Sequence, residues 1–522
     1  MPPTPTAAPV RLAELVAALS LVSDLGMGRP MERALRQTVI AMRLAELAEA
    51  DDDARVATYY TSLLTWVGCA ADTSDLADLF GDEQALYADT PSVDMVGPTA
   101  VRFWSTHLGR GGGPVRRLNM VGRFLLSGGR SVSDVMTSHC QSTGELADRL
   151  DLGADVQEPL LQAFERWDGR GVPGACRADG LSLTIRLVHL ADAVEAFHRT
   201  SGADAALAVV TDRRGTQFDP RLVDLLAANR DDVLAGLDTI QAWEEVIALD
   251  PRLGHGLSDD QLDGALEAFA DFADLKSPTR AGHSRGVAAL AADAGARLGH
   301  GSDDGRTLRR AALVHDIGVI GVPSSVWDDP HHWSLAQRER ARMHPYLTER
   351  MLARVPGLHE ISRCAAQHHE RLDGSGYPHG SSGDALPLAS RVLAAADVYH
   401  ALREPRPHRT AVPADATVTV LRDEARQGRL DGEAVNAVLA AAGHRVRRRA
   451  QLPAGLTPRE VEVLVELARG RSNPEIASAL SISRKTVSTH LEHVYAKAGV
   501  STRAEAALFA MRSGLVGPLP DD

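Results

Sequence analysis

The 522-residue sequence predicts an all-α protein: two related helical domains followed by a small four-helix unit. Three observations carry this expectation. Aromatic residues make up only 4% of the chain while Ala, Leu and Val abound, which favours helices over sandwiches or barrels. The sequence repeats itself: "ERWDGRGVP" at Glu165 returns as "ERLDGSGYP" at Glu370. The C-terminal stretch places Ser, Thr and Pro before short runs with helical apolar spacing.

The chain is too long for one core, and length alone suggests about three or four domains. Its 44% hydrophobic and 24% charged residues are those of an ordinary globular protein. Cys69, Cys140, Cys176 and Cys364 are scattered without C-x-x-C spacing, which fits reduced thiols in a cytoplasmic protein better than a disulfide framework. The opening "MPPTPTAAPV" lacks the basic and apolar regions of a signal peptide, and no run of about eighteen apolar residues predicts a membrane span. No membrane partner is expected. A net charge of −13 excludes the molecule as a whole from nucleic-acid binding, so any DNA-binding part must be local.

Two registers define the repeat. "SDLGMGRPMERAL" lies on "ADLKSPTRAGHSRGV", with Leu25 on Leu275, and "YYTSLLTWVG" lies on "RRAALVHDIG", both at an offset of 250. Asp168 falls on Asp373 and Asp192 on Asp397 at an offset of 205, so the first copy carries 45 additional residues between these blocks. The glycine-rich "THLGRGGGPVRR" reads as an exposed loop within that insertion. Copy one spans roughly 8–235 and copy two roughly 258–442. Copy two opens with a helix whose Leu262, Leu266, Phe269 and Ala273 share one face behind a Ser258/Asp259 cap.

Copy two also holds His283, His315-Asp316, His344, His368-His369 and Asp397. Imidazole and carboxylate suit Fe, Mn or Zn. Any one of these histidines alone is better read as a structural residue, whereas together they read as a metal site. Asp316 could bridge two metals while His315 takes a terminal position. "LDGSGYP" by itself is only a turn. Copy one keeps "WDGRGVP" but has Ala163 and Phe164 in place of the histidine pair, so the turn serves the fold and the histidines serve the metal.

"HDIG", "HHERLDGSGYP", "RVLAAADVYHAL" and "RPHR", in this order and spacing, resemble the HD-GYP family of metal-dependent phosphodiesterases, which hydrolyse cyclic di-GMP and related cyclic dinucleotides. The resemblance covers essentially all of copy two. It implies an HD-GYP-type helical domain with two divalent metal ions, Fe or Mn with Zn as a further option. His283, His315, Asp316 and Asp397 would hold one ion, and Asp316, His344, His368 and His369 the other. His315 and Asp316 would form the catalytic centre. Arg406 and Arg409 would contact the substrate's phosphate or guanine, beside Gly376 and Tyr377. Three positions depart from the family. Val319 stands where a phosphate-contacting Lys usually follows HDIG, His400 where an Asp is usual, and Thr279 where some members place an acidic ligand. By the same comparison Arg33, Thr65, Trp66, Ala163 and Phe164 replace ligands in copy one, and only Asp192 is expected to remain. Copy one therefore reads as a degenerate HD-GYP-like domain, a packing partner or a sensor.

A basic linker (443–455, with Arg445, Arg447, Arg448 and Arg449) leads to the unit at 456–518. "LTPREVEVLVELARGRSNPEIASALSISRKTVSTHLEHVYAKAGVSTRAEA" resembles the LuxR-type helix-turn-helix. The resemblance implies that the helix from Ser483 to Lys497 enters the major groove of double-stranded DNA. There Arg484, Lys485, Thr486, Ser488, Thr489, His493 and Lys497 would face phosphates and base edges. Charge across this unit is nearly balanced, so a homodimer is expected to be needed for tight binding. The sequence thus predicts a cyclic-dinucleotide phosphodiesterase with a DNA-binding tail. The competing reading is a LuxR-type regulator whose HD-GYP-like domain only senses a ligand, which Val319 favours and the full ligand set disfavours.

Overall fold

The computed structural model describes residues 9–516, apart from 253–254, 446–452 and, between 70 and 129, positions 70–72, 74–75, 78–79, 81–82, 91–92, 95, 110–112, 114–117, 119 and 123–129. It separates into two compact units, Met1–His444 and Arg445–Asp522. Among the described residues, strand-like pairing is confined to three isolated bridges. None of the described helices is long and apolar enough to cross a membrane.

The larger unit contains both copies of the repeat, and their elements follow in the same order. Leu12–Gly26, Arg33–Leu47, Asp52–Leu64 and Leu183–Asp212 in copy one answer to Asp259–Asp274, His283–Arg297, Ser302–Val314 and Leu388–Arg403 in copy two. In each copy the second of these helices packs on the third and the fourth. The helix starts are built alike. The Asp24 carboxylate accepts the Ala34 amide at 3.1 Å, and Asp274 accepts the Ser284 amide at 3.0 Å, so the end of one helix caps the start of the next.

Asp259–Asp274 shows how the sequence produces such an element. Ser258 and Gln261 close a reciprocal capping box, and Leu262, Leu266, Phe269 and Ala273 are all buried on one face. Truncating Phe269 to Ala would cost about 3–5 kcal/mol in lost burial and cavity formation. This helix packs on Arg130–Arg149 of copy one, while Leu12–Gly26 packs on His344–Leu352 of copy two, so the copies clasp one another reciprocally. Arg149 bonds Asp271 across that contact at 2.7 Å. Gly26 meets the Ile320 carbonyl so closely that a Cβ would stand 2.3 Å from its oxygen.

The insertion of copy one falls between Gly68 and His139. It is more than the exposed loop the sequence suggests. It supplies the helices Glu83–Asp89 and Gly97–His107, and Leu76, Phe80, Leu86, Phe103 and Leu108 form a small buried core with Val135. The glycine run draws the eye to the loop, but the helical spacing of Ala100, Phe103 and His107 just before it is what builds this layer. Most of "GRGGGPVRR", at 110–112 and 114–117, lies outside the described residues. The insertion also reaches copy two: the Glu83 carboxylate accepts the Ser324 amide at 2.6 Å, and Thr73 and Ser324 share a hydroxyl hydrogen bond of 2.5 Å.

The smaller unit is a bundle of Pro458–Ala468, Asn473–Ala479, Arg484–Ala498 and Arg503–Arg512. Reciprocal capping boxes join Thr457 with Glu460, Ser472 with Glu475, and Thr502 with Glu505, and the Ser483 hydroxyl accepts the Thr486 amide. Val463, Leu464, Leu467, Ile476, Val487, Leu491 and Val494 fill its core. Arg447, Arg448 and Arg449 of the basic linker lie outside the described residues.

Candidate metal centre and its degenerate counterpart

Each metal-ligand candidate of copy two sits where a helix begins or ends, or on the inner face of one. His283 and His344 open their helices, His315 and Asp316 follow Ser302–Val314, His368 and His369 follow His359–Ala366, and Asp397 lies mid-way along Leu388–Arg403. The structure gathers all seven. His283, His315 and Asp397 form one group whose ligand atoms lie within 4.8 Å of one another, and His344, His368 and His369 form a second. Asp316 stands between them. Its Oδ2 lies 3.4 Å from His283 Nε2 and 3.3 Å from His315 Nε2, while its Oδ1 lies 3.2 Å from His344 Nε2 and 3.5 Å from His368 Nε2. One carboxylate oxygen faces each group.

The hydrogen bonds fix which nitrogen each ring presents. His315 Nδ1 contacts the Ala312 carbonyl at 2.7 Å, His344 Nδ1 that of Ala341 at 2.6 Å, and His368 Nδ1 that of Ala365 at 2.7 Å. A carbonyl only accepts, so each Nδ1 carries the hydrogen and each neutral ring points a bare Nε2 lone pair inward. Burial pushes His315 and His344 well below the ordinary imidazole pKa and His368 down to about 4, so these rings stay neutral. Burial would raise the Asp397 carboxyl, but His283 and the other imidazoles around it together hold it well below the ordinary value. Converging lone pairs then face two carboxylates. His344 and His368 bring their Nε2 atoms within 3.1 Å of each other, and His315 Nε2 and Asp316 Oδ1 are buried without a hydrogen-bond partner. Bound cations would relieve such an arrangement, and these residues fit divalent metal ions.

Three residues that the sequence reading missed support the centre. Glu404 accepts from His283 Nδ1 at 3.0 Å and from His400 Nδ1 at 2.8 Å. Burial works to raise its pKa, but these bonds pull it down to about 2, so it is an anion that orients His283. His400 thus has a role beside the site, although it replaces the family's Asp. Arg280 lays its guanidinium against Asp316. Its place three residues before His283 in "PTRAGH" was the available signal. Glu370 accepts the His379 amide at 2.7 Å and pins the turn.

The substrate-side candidates divide. Tyr377 stacks beside His369 with centroids 4.8 Å apart, and the Arg342 guanidinium lies 4.7 Å over its ring. Gly376 is a packing residue, since a Cβ there would stand 2.5 Å from the Glu370 Cα. Arg409 is not presented to a ligand as expected: its guanidinium donates to the carbonyls of Ala401, Leu402, Glu404 and Thr410. Closing this loop consumes its donors. Arg406 is held at 2.8 Å by Glu404. Val319 is fully buried, inside the 3-10 segment Ile317–Gly321.

Comparison with known proteins places both parts of the chain among described families. Residues 267–434 match the family model described as "HD domain", and residues 454–510 match "Bacterial regulatory proteins, luxR family". The chain joins an HD domain to a LuxR-family regulatory domain. It is 28% identical over 416 residues to "3'3'-cGAMP-specific phosphodiesterase 3" of Vibrio cholerae, covering 79% of this chain and 90% of that protein. It is 37% identical over 169 residues to "Cyclic di-GMP phosphodiesterase response regulator RpfG" of Xanthomonas campestris, covering 32% of this chain and 42% of that protein. The crystal structure of a cyclic GMP-AMP specific phosphodiesterase of V. cholerae (V-cGAP3) superposes with a TM-score of 0.59 at 25% identity, covering 84% of this chain and 99% of that one. So wide a coverage takes in copy one as well as the HD domain.

Against the HD domain, copy one shows what replaces a metal. Arg33 stands at the position of His283, and its guanidinium pairs with Asp192, the counterpart of Asp397. Trp66, at the position of Asp316, donates its indole N–H to the same carboxylate at 2.8 Å. A cation built into the chain thus satisfies the retained aspartate. One expectation needs correction. Asp192 is not the sole survivor, because His139 stands at the position of His344, and its Nε2 contacts the Thr65 carbonyl at 2.7 Å. Gly68 packs on the His139 helix as Gly318 packs on the His344 helix, which confirms the correspondence. The turn is the same in both copies: Glu165 accepts the Ala175 amide at 2.7 Å, and a Cβ on Gly171 would stand 2.5 Å from the Glu165 Cα.

In the LuxR-family domain, Arg484, Lys485, Thr486, Thr489 and His493 are exposed along Arg484–Ala498, and Ser488 is half-buried. Lys497 differs from the free cation expected. Its ammonium donates to the buried Glu460 carboxylate at 2.8 Å, tying the third helix to the cap of the first.

Proposed function

We propose that residues 258–442 hydrolyse a phosphodiester bond of a 3',3'-linked cyclic dinucleotide with two divalent metal ions, and that the tail binds double-stranded DNA as a homodimer. The observation that carries the reading is Asp316, with one oxygen turned to each group of three ligands. Such ions, when bound, supply charge neutralisation for the reacting phosphate and lower the pKa of water to about 7. Mixed imidazole and carboxylate ligation suits Fe or Mn, with Zn as a further option.

The protein's own contribution is to hold the donors ready. Backbone carbonyls fix the tautomers of His315, His344 and His368, Glu404 orients His283, and the buried carboxylates carry the negative charge that draws cations in. This order costs no rearrangement when substrate arrives. Arg280, against Asp316, is the positive side chain that takes the part Val319 cannot play beside the reacting phosphate. Tyr377, between His369 and Arg342, offers a face on which a nucleobase can stack. The guanine-containing substrates in the relatives' names, 3'3'-cGAMP and cyclic di-GMP, direct the choice of substrate class.

The test is to incubate the purified full chain, loaded with Mn or Fe, with each of these two dinucleotides and to follow the linear product by chromatography. Hydrolysis of either one that is lost in Asp316→Ala supports the reading. A metal-loaded protein that leaves both intact overturns it.

A further inference from the structure

Copy one borders an open cavity of about 840 Å3, within the size range of small-molecule sites. Trp66, His139, Phe164 and Asp192 line it, at the positions of Asp316, His344, His369 and Asp397, so it occupies the place of the metal centre in this copy. The insertion supplies its other wall with Leu86, Val93, Ala100, Trp104 and Leu108. Forty-five residues that copy two lacks thus wrap an apolar surface around a site that has lost its histidine pair.

The charges on this cavity are unequally satisfied. Asp192 is neutralised by Arg33, and Arg166 is bonded to Asp94 at 2.7 Å. Arg29 stands at the position of Thr279 and is only 6% exposed. It donates Nε to the Tyr87 carbonyl at 3.2 Å, and its guanidinium lies 5.2 Å from the Trp66 ring centroid. Its Nη1 has no hydrogen-bond partner, and no carboxylate among the described residues is within salt-bridge distance of it. A buried cation whose nearest carboxylates, Asp192 and Asp24, act on it only from beyond salt-bridge distance is costly, and here it adjoins an apolar space large enough for a ligand.

We propose that copy one is a receptor for a small amphipathic organic anion, an acyl or aromatic body against the insertion's apolar wall with a carboxylate paired to Arg29. The occupant supplies what the structure leaves unmatched: apolar surface for the wall and a negative charge for the guanidinium. The proposal does not depend on hydrolysis in copy two.

The probe is 1-anilinonaphthalene-8-sulfonate, an aromatic anion whose fluorescence rises in apolar surroundings, titrated into the full-length protein. One saturable site per chain is expected, displaced by decanoate at least tenfold more readily than by decanol, because only the carboxylate can form the charged hydrogen bond. Arg29→Met, with its melting temperature checked, should weaken decanoate about tenfold or more and leave decanol unchanged, while Arg29→Lys restores part of the preference. Equal displacement by decanol and decanoate in the wild type overturns the proposal without reference to any variant. So does the absence of a saturable site, or unchanged decanoate binding in a folded Arg29→Met protein.

Discussion

Replacing Asp192 by Ala tests whether an internal guanidinium has taken over the metal's place in copy one. The Arg33 side chain is 0% exposed, and its charge is answered by Asp192 and, at 3.5 Å from Nε, by Glu195. Removing one partner of a buried pair costs about 3–5 kcal/mol, because the remaining charge stays buried. The Trp66 indole N–H also loses its acceptor at 2.8 Å but keeps Gln37 Oε1 at 3.1 Å, so this adds no more than about 1 kcal/mol. Glu195 remains and offsets part of this, so about 3–4 kcal/mol is expected for Asp192→Ala. Arg33→Met with Asp192→Leu should cost much less than the two single changes together, since Glu195 keeps Arg36 at 3.6 Å and Arg199 at 3.0 Å. The assay is equilibrium urea unfolding of the full chain followed by tryptophan fluorescence, with a double-mutant coupling energy of at least about 2 kcal/mol expected. A loss below about 1 kcal/mol for Asp192→Ala, or strict additivity in the double variant, would refute the idea that this pair stands in for a bound cation.

Asp316→Ala should lower bound metal by at least half and abolish hydrolysis with little change in circular dichroism, as read by elemental analysis and product formation. In the tail, Lys485→Ala should cost about 1–3 kcal/mol on the preferred site and relax specificity in selections from random DNA, if it reads a base edge. Lys497→Ala should instead destabilise the tail by roughly 0.5–1 kcal/mol, since its half-exposed ammonium is engaged with Glu460. The fully buried Lys276, near Glu83, Asp328 and Cys69, is pushed by burial from the ordinary 10.5 down to about 8. The folded state therefore loses this proton before the unfolded state does. Its penalty is complete below pH 8 and fades between about pH 8 and 10.5, so stability should gain up to about 3 kcal/mol over that window relative to Lys276→Met.

The helices and the seven ligand candidates of copy two were legible because each depends on local spacing. Capping pairs such as Ser258 with Gln261 and Thr457 with Glu460 lie three residues apart, and contiguous pairs such as His315-Asp316 draw attention by themselves. What escaped depends on contacts between distant residues. Glu404 meets His283 across 121 positions and Arg280 meets Asp316 across 36, and only Arg280's place three residues before His283 gave a local signal. Arg409 illustrates the opposite error. A guanidinium in a motif looks free to bind substrate until the fold closes four carbonyls around it. His139 was hidden by the insertion, which changes the register between Gly68 and the helix that carries it.

Why copy one kept the turn and one aspartate while losing the histidine pair follows from what each does. Gly171 and Gly376 let the turn backbone lie against Glu165 and Glu370, so the turn is a requirement of the fold in either copy and is retained without any metal. A buried aspartate, by contrast, is tolerable only with a cation beside it. Copy two leaves that cation to be taken from solution, and its converging Nε2 atoms keep the place open for it. Copy one writes the cation into the chain as Arg33, and the space that catalysis would have used is roofed by the insertion. A guanidinium cannot exchange or activate water, so Arg33 stabilises the retained aspartate without supplying what a bound metal ion would. What remains is a cavity with an apolar lining and an Arg29 that no described carboxylate pairs directly, arranged for recognition.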